Sequence, residues 1–351
     1  AGGLVSALLT LLLLKGNAQQ AVTAFASVAA VCAPLTAFLS TGRHLLHTCK
    51  QLRAEGAMLS GYRAAEDISE ANVVALNADE LFSDDCVSLY SFKTFFDFPI
   101  DDAIITAAAL TKEGHSPLAG LFNQIVAGNA GKLPPVDTVI YEDHMGLTGW
   151  VNDRKTLIGN RMILESHNIV APPLAFDKKV VGEGKFPVYL AVEEKLVAIF
   201  IIGYEADRDL LHRVRRLVNT GVTLLVDTAD PNVTDLLVAD RYGIPKDAVL
   251  VLSADAARRC REQFAPRERE AARLTAANVR GYVDGYLDSY RLRQSAAFTA
   301  VGTIVATCLG GVLAIALPAV GLGSVVNAVG ILVFHALTYV ILSAVHRFTR
   351  L

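Results

Sequence analysis

The stretch that decides the fold is Val73-Val74-Ala75-Leu76-Asn77-Ala78-Asp79-Glu80-Leu81-Phe82. Val73 to Leu76 is a short apolar run of the kind buried on both faces in a parallel sheet, and it delivers Asn77 to the loop at its carboxyl end. Further strands are expected at Lys195–Ile202, Gly221–Val226 and Ala248–Leu252. Between the last three lie two helices. Asp209 to Asn219 carries Leu210, Leu211, Val214 and Leu217 at helical spacing, and Val233 to Tyr242 follows the next strand. Strand and helix alternate, which predicts a doubly wound, Rossmann-type α/β domain. More than a hundred residues separate Asn77 from Lys195. They contain a helix (Ile100 to Thr111) and a hairpin-like run (Val139 to Ile158). That is too much for a loop and predicts an α+β domain inserted into the first.

Outside this region the charge pattern changes. The chain has 351 residues, 52% hydrophobic and 19% charged, with 32 Lys+Arg against 35 Asp+Glu. The formal net charge of −3 gives no basic surplus to attract nucleic acid. Residues 16–42 and 294–346 contain no Lys, Arg, Asp or Glu. A spanning helix needs roughly 20 apolar residues, so the first stretch holds one and the second two, turning at Leu317-Pro318-Ala319-Val320-Gly321-Leu322-Gly323. Gly2 to Leu14 is apolar but short. With the opening Ala-Gly-Gly it is read as a helix cut at its start in a longer protein, since neither a basic n-region nor a signal cleavage site is seen. Arg43, Lys50, Arg53, Arg291, Arg293, Arg347 and Arg350 flank the apolar segments, which places these ends and the central domains in the cytoplasm; Lys15 is a mild exception. The expected organisation is a transmembrane hairpin over 1–42, a linker and first strand over 43–77, the insertion over 78–190, the rest of the α/β domain over 191–290 and a second hairpin over 291–351. The five Cys (32, 49, 86, 260, 308) form no CxxC pair, so neither a disulfide framework nor a thiolate zinc site is indicated.

This layout resembles that of the P-type ATPases, closest to their heavy-metal-transporting branch. Val31-Cys32-Ala33-Pro34-Leu35 lies where that branch carries CPC in a membrane helix, and Gly56 to Glu66 is similar to its GILIKGGEALE. Glu113-Gly114-His115-Ser116-Pro117-Leu118-Ala119 resembles SEHPLA of the nucleotide domain. Met145-Gly146-Leu147-Thr148-Gly149 and Ile158-Gly159-Asn160 resemble its GxG strand and VGN. Thr228-Ala229-Asp230 resembles TGD, with Tyr242-Gly243-Ile244-Pro245 after the next helix. The resemblance implies a haloacid dehalogenase-like phosphorylation domain, with ATP and Mg²⁺ as cofactors. It places Thr228 and Asp230 at the catalytic edge, His115, Gly146 and Gly149 at the nucleotide, and Cys32 at a transport site. It also implies an actuator domain with a TGE motif, expected before Ala1 in the longer protein.

The departures from the family bear on activity. The family's phosphorylated Asp of DKTGT is replaced by Asn77, and its lysine by Ala78. An amide is a poor nucleophile towards phosphorus, so the aspartyl-phosphate is not expected to form. Asp79 is two residues away, several ångströms along the loop, where even about 1 Å of misplacement can cost roughly a hundredfold. The GDGxND carboxylates that hold Mg²⁺ have one counterpart, Val283-Asp284-Gly285-Tyr286-Leu287-Asp288. Asp284 and Asp288 are read either as Mg²⁺ ligands or as an exposed acidic pair on a helix leading to the membrane. Other positions have bland alternatives too. His115 reads equally as a surface histidine, Gly146 and Gly149 as hairpin glycines, and Asp230 as a helix N-cap. Cys32 reads as a packing thiol, and His335, an ionisable group deep in the last apolar helix, as a helix-to-helix hydrogen-bond donor. Pro34 is expected to break its helix and free backbone carbonyls. The expected function is therefore a P-type cation or metal ATPase relative unable to autophosphorylate, with a binding, regulatory or scaffold role. The alternative is an active pump with an unusual acceptor. A soluble phosphatase of the dehalogenase type is opposed by Asn77 and by the apolar segments.

Overall fold

The computed structural model describes residues 18–33, 35–112, 116–126, 133–263, 273–319 and 322–348, with five isolated positions before 18. The chain divides into two compact units. One comprises residues 1–69, 273–275 and 285–351, the other residues 70–272 and 276–284.

β1 (Ala57–Leu59) and α3 (Tyr62–Ser69) belong to the first unit, and the second unit contains two sheets. β2 (Val73–Asn77), β9 (Thr223–Asp227) and β10 (Val249–Val251) form a parallel sheet in the order β10-β9-β2. Two helices follow the expected pattern. α9 (Arg208–Val218) starts where the Asp207 carboxylate accepts the Asp209 and Leu210 amides, at 2.9 and 3.0 Å, and it buries Leu210, Val214 and Leu217. α10 (Asp235–Tyr242) starts at Thr234, whose hydroxyl accepts the Leu237 amide at 3.2 Å. It stops at Gly243, whose φ of +59° is the left-handed conformation that glycine accepts at a helix C-terminus.

Between β2 and β9 the chain builds a six-stranded antiparallel sheet in the order β3-β8-β7-β6-β5-β4. Its strands are β3 (Val87–Thr94), β4 (Val136–Glu142), β5 (Gly146–Val151), β6 (Arg154–Gly159), β7 (Phe186–Val192) and β8 (Lys195–Tyr204). The strand expected at 195–202 for the parallel sheet is thus β8, paired with β3 and β7 in the inserted sheet. Its apolar run is buried on both faces because helices cover both sides. Such a run looks the same in a central antiparallel strand as in a parallel one. On one face, Phe200 packs edge-on against Phe122 of α6 (Pro117–Ile125), and Gly149 lies against Leu110 of α5 (Ile100–Thr111). On the other face, α7 (Arg161–Ser166) and α8 (Leu174–Gly182) pack against Leu157, Tyr189, Leu196 and Ile199.

In the first unit, α1 (Ala18–Val31) and α2 (Leu35–Ala54) are separated at Cys32–Ala33, as the proline at 34 leads one to expect; Pro34 itself lies outside the described residues. α12 (Val279–Ala319) is a 41-residue helix, and α13 (Ala328–Phe348) follows the turn expected near 317–323. The stretches Ala21–Ala54 and Val279–Leu317 are long and apolar enough to cross a membrane, and Ala328–Ala344 is a shorter apolar helix. Phe298, Val301, Ile304, Val305, Leu309 and Val312 of α12 are all more than half exposed, an apolar surface that water does not favour. The expected short helix over Gly2 to Leu14, and Lys15, fall mainly outside the described residues.

Candidate functional site at the carboxyl edge of the parallel sheet

Open α/β sheets bind ligands beyond the carboxyl ends of their strands. Here that edge presents Asn77 at the end of β2 and Asp227 at the end of β9, and these two are register partners. Asn77 is extended (φ −86°, ψ 149°), and its amide N–H donates to the Glu80 carboxylate at 2.9 Å, which turns the chain into the one-turn helix α4 (Ala78–Leu81). Asp227 is not singled out by the sequence, because only strand pairing puts it beside Asn77. Its carboxylate accepts from Arg261 Nη1 at 3.0 Å, an arginine of α11 (Ala254–Gln263).

Thr228 and Asp230 continue from β9 but turn inward. The Thr228 hydroxyl accepts the Asp230 amide at 3.0 Å. The Asp230 carboxylate accepts the Asn232 amide at 3.0 Å and the Tyr204 hydroxyl at 2.6 Å, and Asp230 is 1% exposed. Burial pushes its carboxyl up to about 6, against the pull of the Tyr204 and Asn232 bonds. The N-cap alternative for Asp230 does not apply to α10, since Thr234 caps that helix. Asp230 instead ties the start of this loop to the end of β8.

The inserted domain brings two of its three nucleotide-type motifs together. Asn160 donates its side-chain amide to the His144 carbonyl at 2.7 Å and its backbone N–H to the Met145 carbonyl at 3.0 Å, so His144–Gly146 and Gly159–Asn160 lie side by side. Gly146 has φ +142°, and a Cβ there would overlap the Ile158 carbonyl of the neighbouring strand. A Cβ on Gly149 would come 2.7 Å from Leu110 Cδ1. On the Cβ side, close packing thus accounts for glycine at both positions. His115 lies outside the described residues; the neighbouring Ser116 caps α6 through the Leu118 amide at 3.3 Å. The turn after β4 reaches the other sheet's edge, where the Asp143 carboxylate accepts the Ala254 amide at the start of α11, at 2.6 Å. A second polar group is visible only in three dimensions. The Glu142 carboxylate accepts from Thr148 at 2.5 Å and pairs with His167 at 2.7 Å. Burial raises its pKa, but these two bonds, with the charges of His167 and Lys155, together hold the carboxyl below its usual range.

The remaining acidic positions sit on α12. Asp284 pairs with Arg213 Nε at 2.8 Å, and Asp288, one turn on, pairs with Arg291 at 3.1 Å. The parallel sheet has three strands, and neither residue is on one. Mg²⁺ takes six oxygen ligands, usually one or two carboxylates with waters and phosphate oxygens. Asp227 is held by Arg261, Asp230 by Tyr204 and Asp284 by Arg213. Among the described residues no group of three or more His, Cys, Asp or Glu side chains could hold a metal. A Mg²⁺ ion at this edge would have to displace a partner from any of these three carboxylates. Cys32 faces the Thr307 carbonyl at 3.9 Å, a weak thiol contact between helices. His335 Nε2 lies 3.0 Å from the Ala30 carbonyl.

A parallel α/β sheet interrupted after its first strand by an antiparallel domain, with long apolar helices on either side in sequence, is the fold of the P-type ATPases. A crystal structure of a zinc-transporting PIB-type ATPase in its E2.Pi state aligns with 99% of this chain and 62% of that chain, with a TM-score of 0.53 at 15% identity. Within that fold, the sequence is related to the heavy-metal-transporting branch. The chain is 23% identical over 234 residues to a copper-exporting P-type ATPase of Legionella pneumophila, covering 66% of this chain and 32% of the relative. It is 22% identical over 227 residues to copper-transporting ATPase 2 of Rhizobium meliloti, covering 64% and 27%. The matched region thus spans less than a third of either relative's length. No protein-family model matches the chain.

Proposed function

We propose that this protein is a heavy-metal P-type ATPase relative that does not form an aspartyl-phosphate, and that its membrane and cytoplasmic parts serve a binding, regulatory or scaffold role. The observation that carries this reading is Asn77, an amide at the carboxyl end of β2 where the family's nucleophilic carboxylate stands. Phosphoryl transfer depends on an in-line nucleophile and on positive charge around the transferred group. Ala78 supplies no charge, and the neighbouring Asp227 is already neutralised by Arg261. The engaged state of Asp227, Asp230 and Asp284 supports the absence of a functional Mg²⁺ site. The apolar faces of α12 and α13 support membrane embedding, with the two sheets in the cytoplasm. Any ATP binding rests on the pairing of His144–Gly146 with Gly159–Asn160 alone, and is weak.

The test is incubation of the full chain with γ-labelled ATP, followed by an acid gel. No hydroxylamine-sensitive label is expected. Acid-stable, hydroxylamine-sensitive label on the protein would overturn the reading in favour of an active pump.

A further inference from the structure

Strand alternation gives β8 two different faces. Phe200 points to α6, so Ile199 and Ile201 point to the side of α7 and α8. Those two helices cover only part of that face. Beside them lies a cavity of about 710 Å³, whose walls include Phe92, Phe95, Phe96, Ile169, Phe176 and Ile199. This is within the usual range for small-molecule sites, roughly 300–1,000 Å³. The wall formed by residues 169–173 is fixed from behind. Arg161 donates to the Pro172 carbonyl and to Asp177, each at 2.5 Å, and Asp177 also accepts the Tyr189 hydroxyl. Phe96 is 79% exposed and has φ +56°, a conformation an aromatic residue adopts at a cost, and it holds the ring at the cavity's edge.

Three charged side chains line this otherwise apolar space: Lys93, Lys195 and Glu194. Among the described residues none of the three forms an ion pair, and the Lys93 ammonium lies 5.1 Å from the Phe95 ring centroid. The balance is one positive charge at the edge of an apolar, pre-formed pocket. We propose that this cavity binds an amphipathic monoanion, a long-chain carboxylate, with its alkyl chain against the phenylalanines and isoleucines and its carboxylate at Lys93 and Lys195. A cationic amphiphile would find one carboxylate, Glu194, against two lysines, so the charge balance favours the anionic head. The pocket shares no residue with the carboxyl edge of the parallel sheet, so the assignment is independent of the fate of Asn77.

The experiment uses the full chain in lipid nanodiscs and three photoreactive sixteen-carbon probes differing only in the head: carboxylate, alcohol and amine. Adducts are mapped by mass spectrometry. The carboxylate probe is expected to label peptides within residues 91–96 and 169–176, in competition with unlabelled palmitate and ahead of the amine. Lys93→Glu with Lys195→Glu should lower this labelling by about tenfold, and Lys93→Arg with Lys195→Arg should preserve it. An equal melting profile for both pairs shows that the fold is intact. Labelling confined to the apolar helices, equal labelling by carboxylate and amine, or labelling unchanged by charge reversal would each overturn the proposal.

Discussion

Tyr204, the last residue of β8, donates its hydroxyl to Asp230, three residues past the end of β9, at 2.6 Å. The bond joins the inserted sheet to the parallel one through a carboxyl that has almost no contact with water. Its buried environment sets the first prediction. Because the folded-state pKa of Asp230 is raised to about 6 from an ordinary 3.8, the folded state keeps its proton where the unfolded chain has lost it. Stability from this group is fully present below about pH 4 and is lost as pH rises through about 6, by roughly 3 kcal/mol at most. Tyr204→Phe removes the donor and should cost about 1–3 kcal/mol at pH 7, where the ionised carboxylate is left short of a partner. At pH 4.5 the loss should be smaller. Thermal unfolding of both proteins at the two pH values checks this, and an equal loss at both would count against it.

Restoring the acceptor should not restore chemistry. In Asn77→Asp the new carboxylate would still lack a neighbouring lysine and a carboxylate set free to hold Mg²⁺, and parts of one catalytic unit act non-additively. Steady-state phosphoenzyme, measured in the full-length protein and compared with the parent, should stay at background. Robust labelling of the single mutant would confine the degeneration to one residue.

Nucleotide affinity should be poor. Titration calorimetry with ATP on the intact chain is expected to give a dissociation constant in the high micromolar range or weaker, about −5 kcal/mol or less favourable. Nanomolar binding would mean that the pairing of His144–Gly146 with Gly159–Asn160 forms a competent site after all.

The two glycines of β5 should respond unequally to alanine. At Gly149 the new methyl meets the tip of Leu110, a flexible side chain that can shift, so Gly149→Ala should cost about 1–3 kcal/mol. At Gly146 it meets the backbone of Ile158 and Gly159 at a positive φ, and the pairing of β5 with β6 has no side chain to move aside. Gly146→Ala should be the more damaging, read as a lower melting temperature. The reverse order would show that Leu110 cannot shift.

Local signals made much of this architecture readable. The spacing of Leu210, Val214 and Leu217 marks α9 within one residue at each end, and Val73–Asn77 reads as a strand that delivers its last residue to an edge. β8 is the counterexample. Lys195–Ile202 is apolar at almost every position, and a run without alternation does not say which sheet it joins. The edge itself was half legible. Asn77 stands out by its type, whereas Asp227 becomes its neighbour only through register and Arg261 only through packing 34 residues further on. Glu142 and His167 are likewise 25 residues apart and meet because a helix end folds back over the sheet.

The contact between His335 and Ala30 has a consequence for how the protein is made. The residue four positions after Ala30 is a proline, which has no N–H to return to that carbonyl, and the Ala33 amide approaches it only at 3.3 Å. The imidazole that completes its hydrogen bonding is 305 residues downstream. At about 5–20 residues per second, a ribosome needs roughly 15–60 s to cover that distance. During that interval the Ala30 carbonyl has the Ala33 amide, at 3.3 Å, and not the imidazole. The hydrogen bonding of this break is therefore complete only once the last helix has been made, although the break itself is set by residues near the start of the chain.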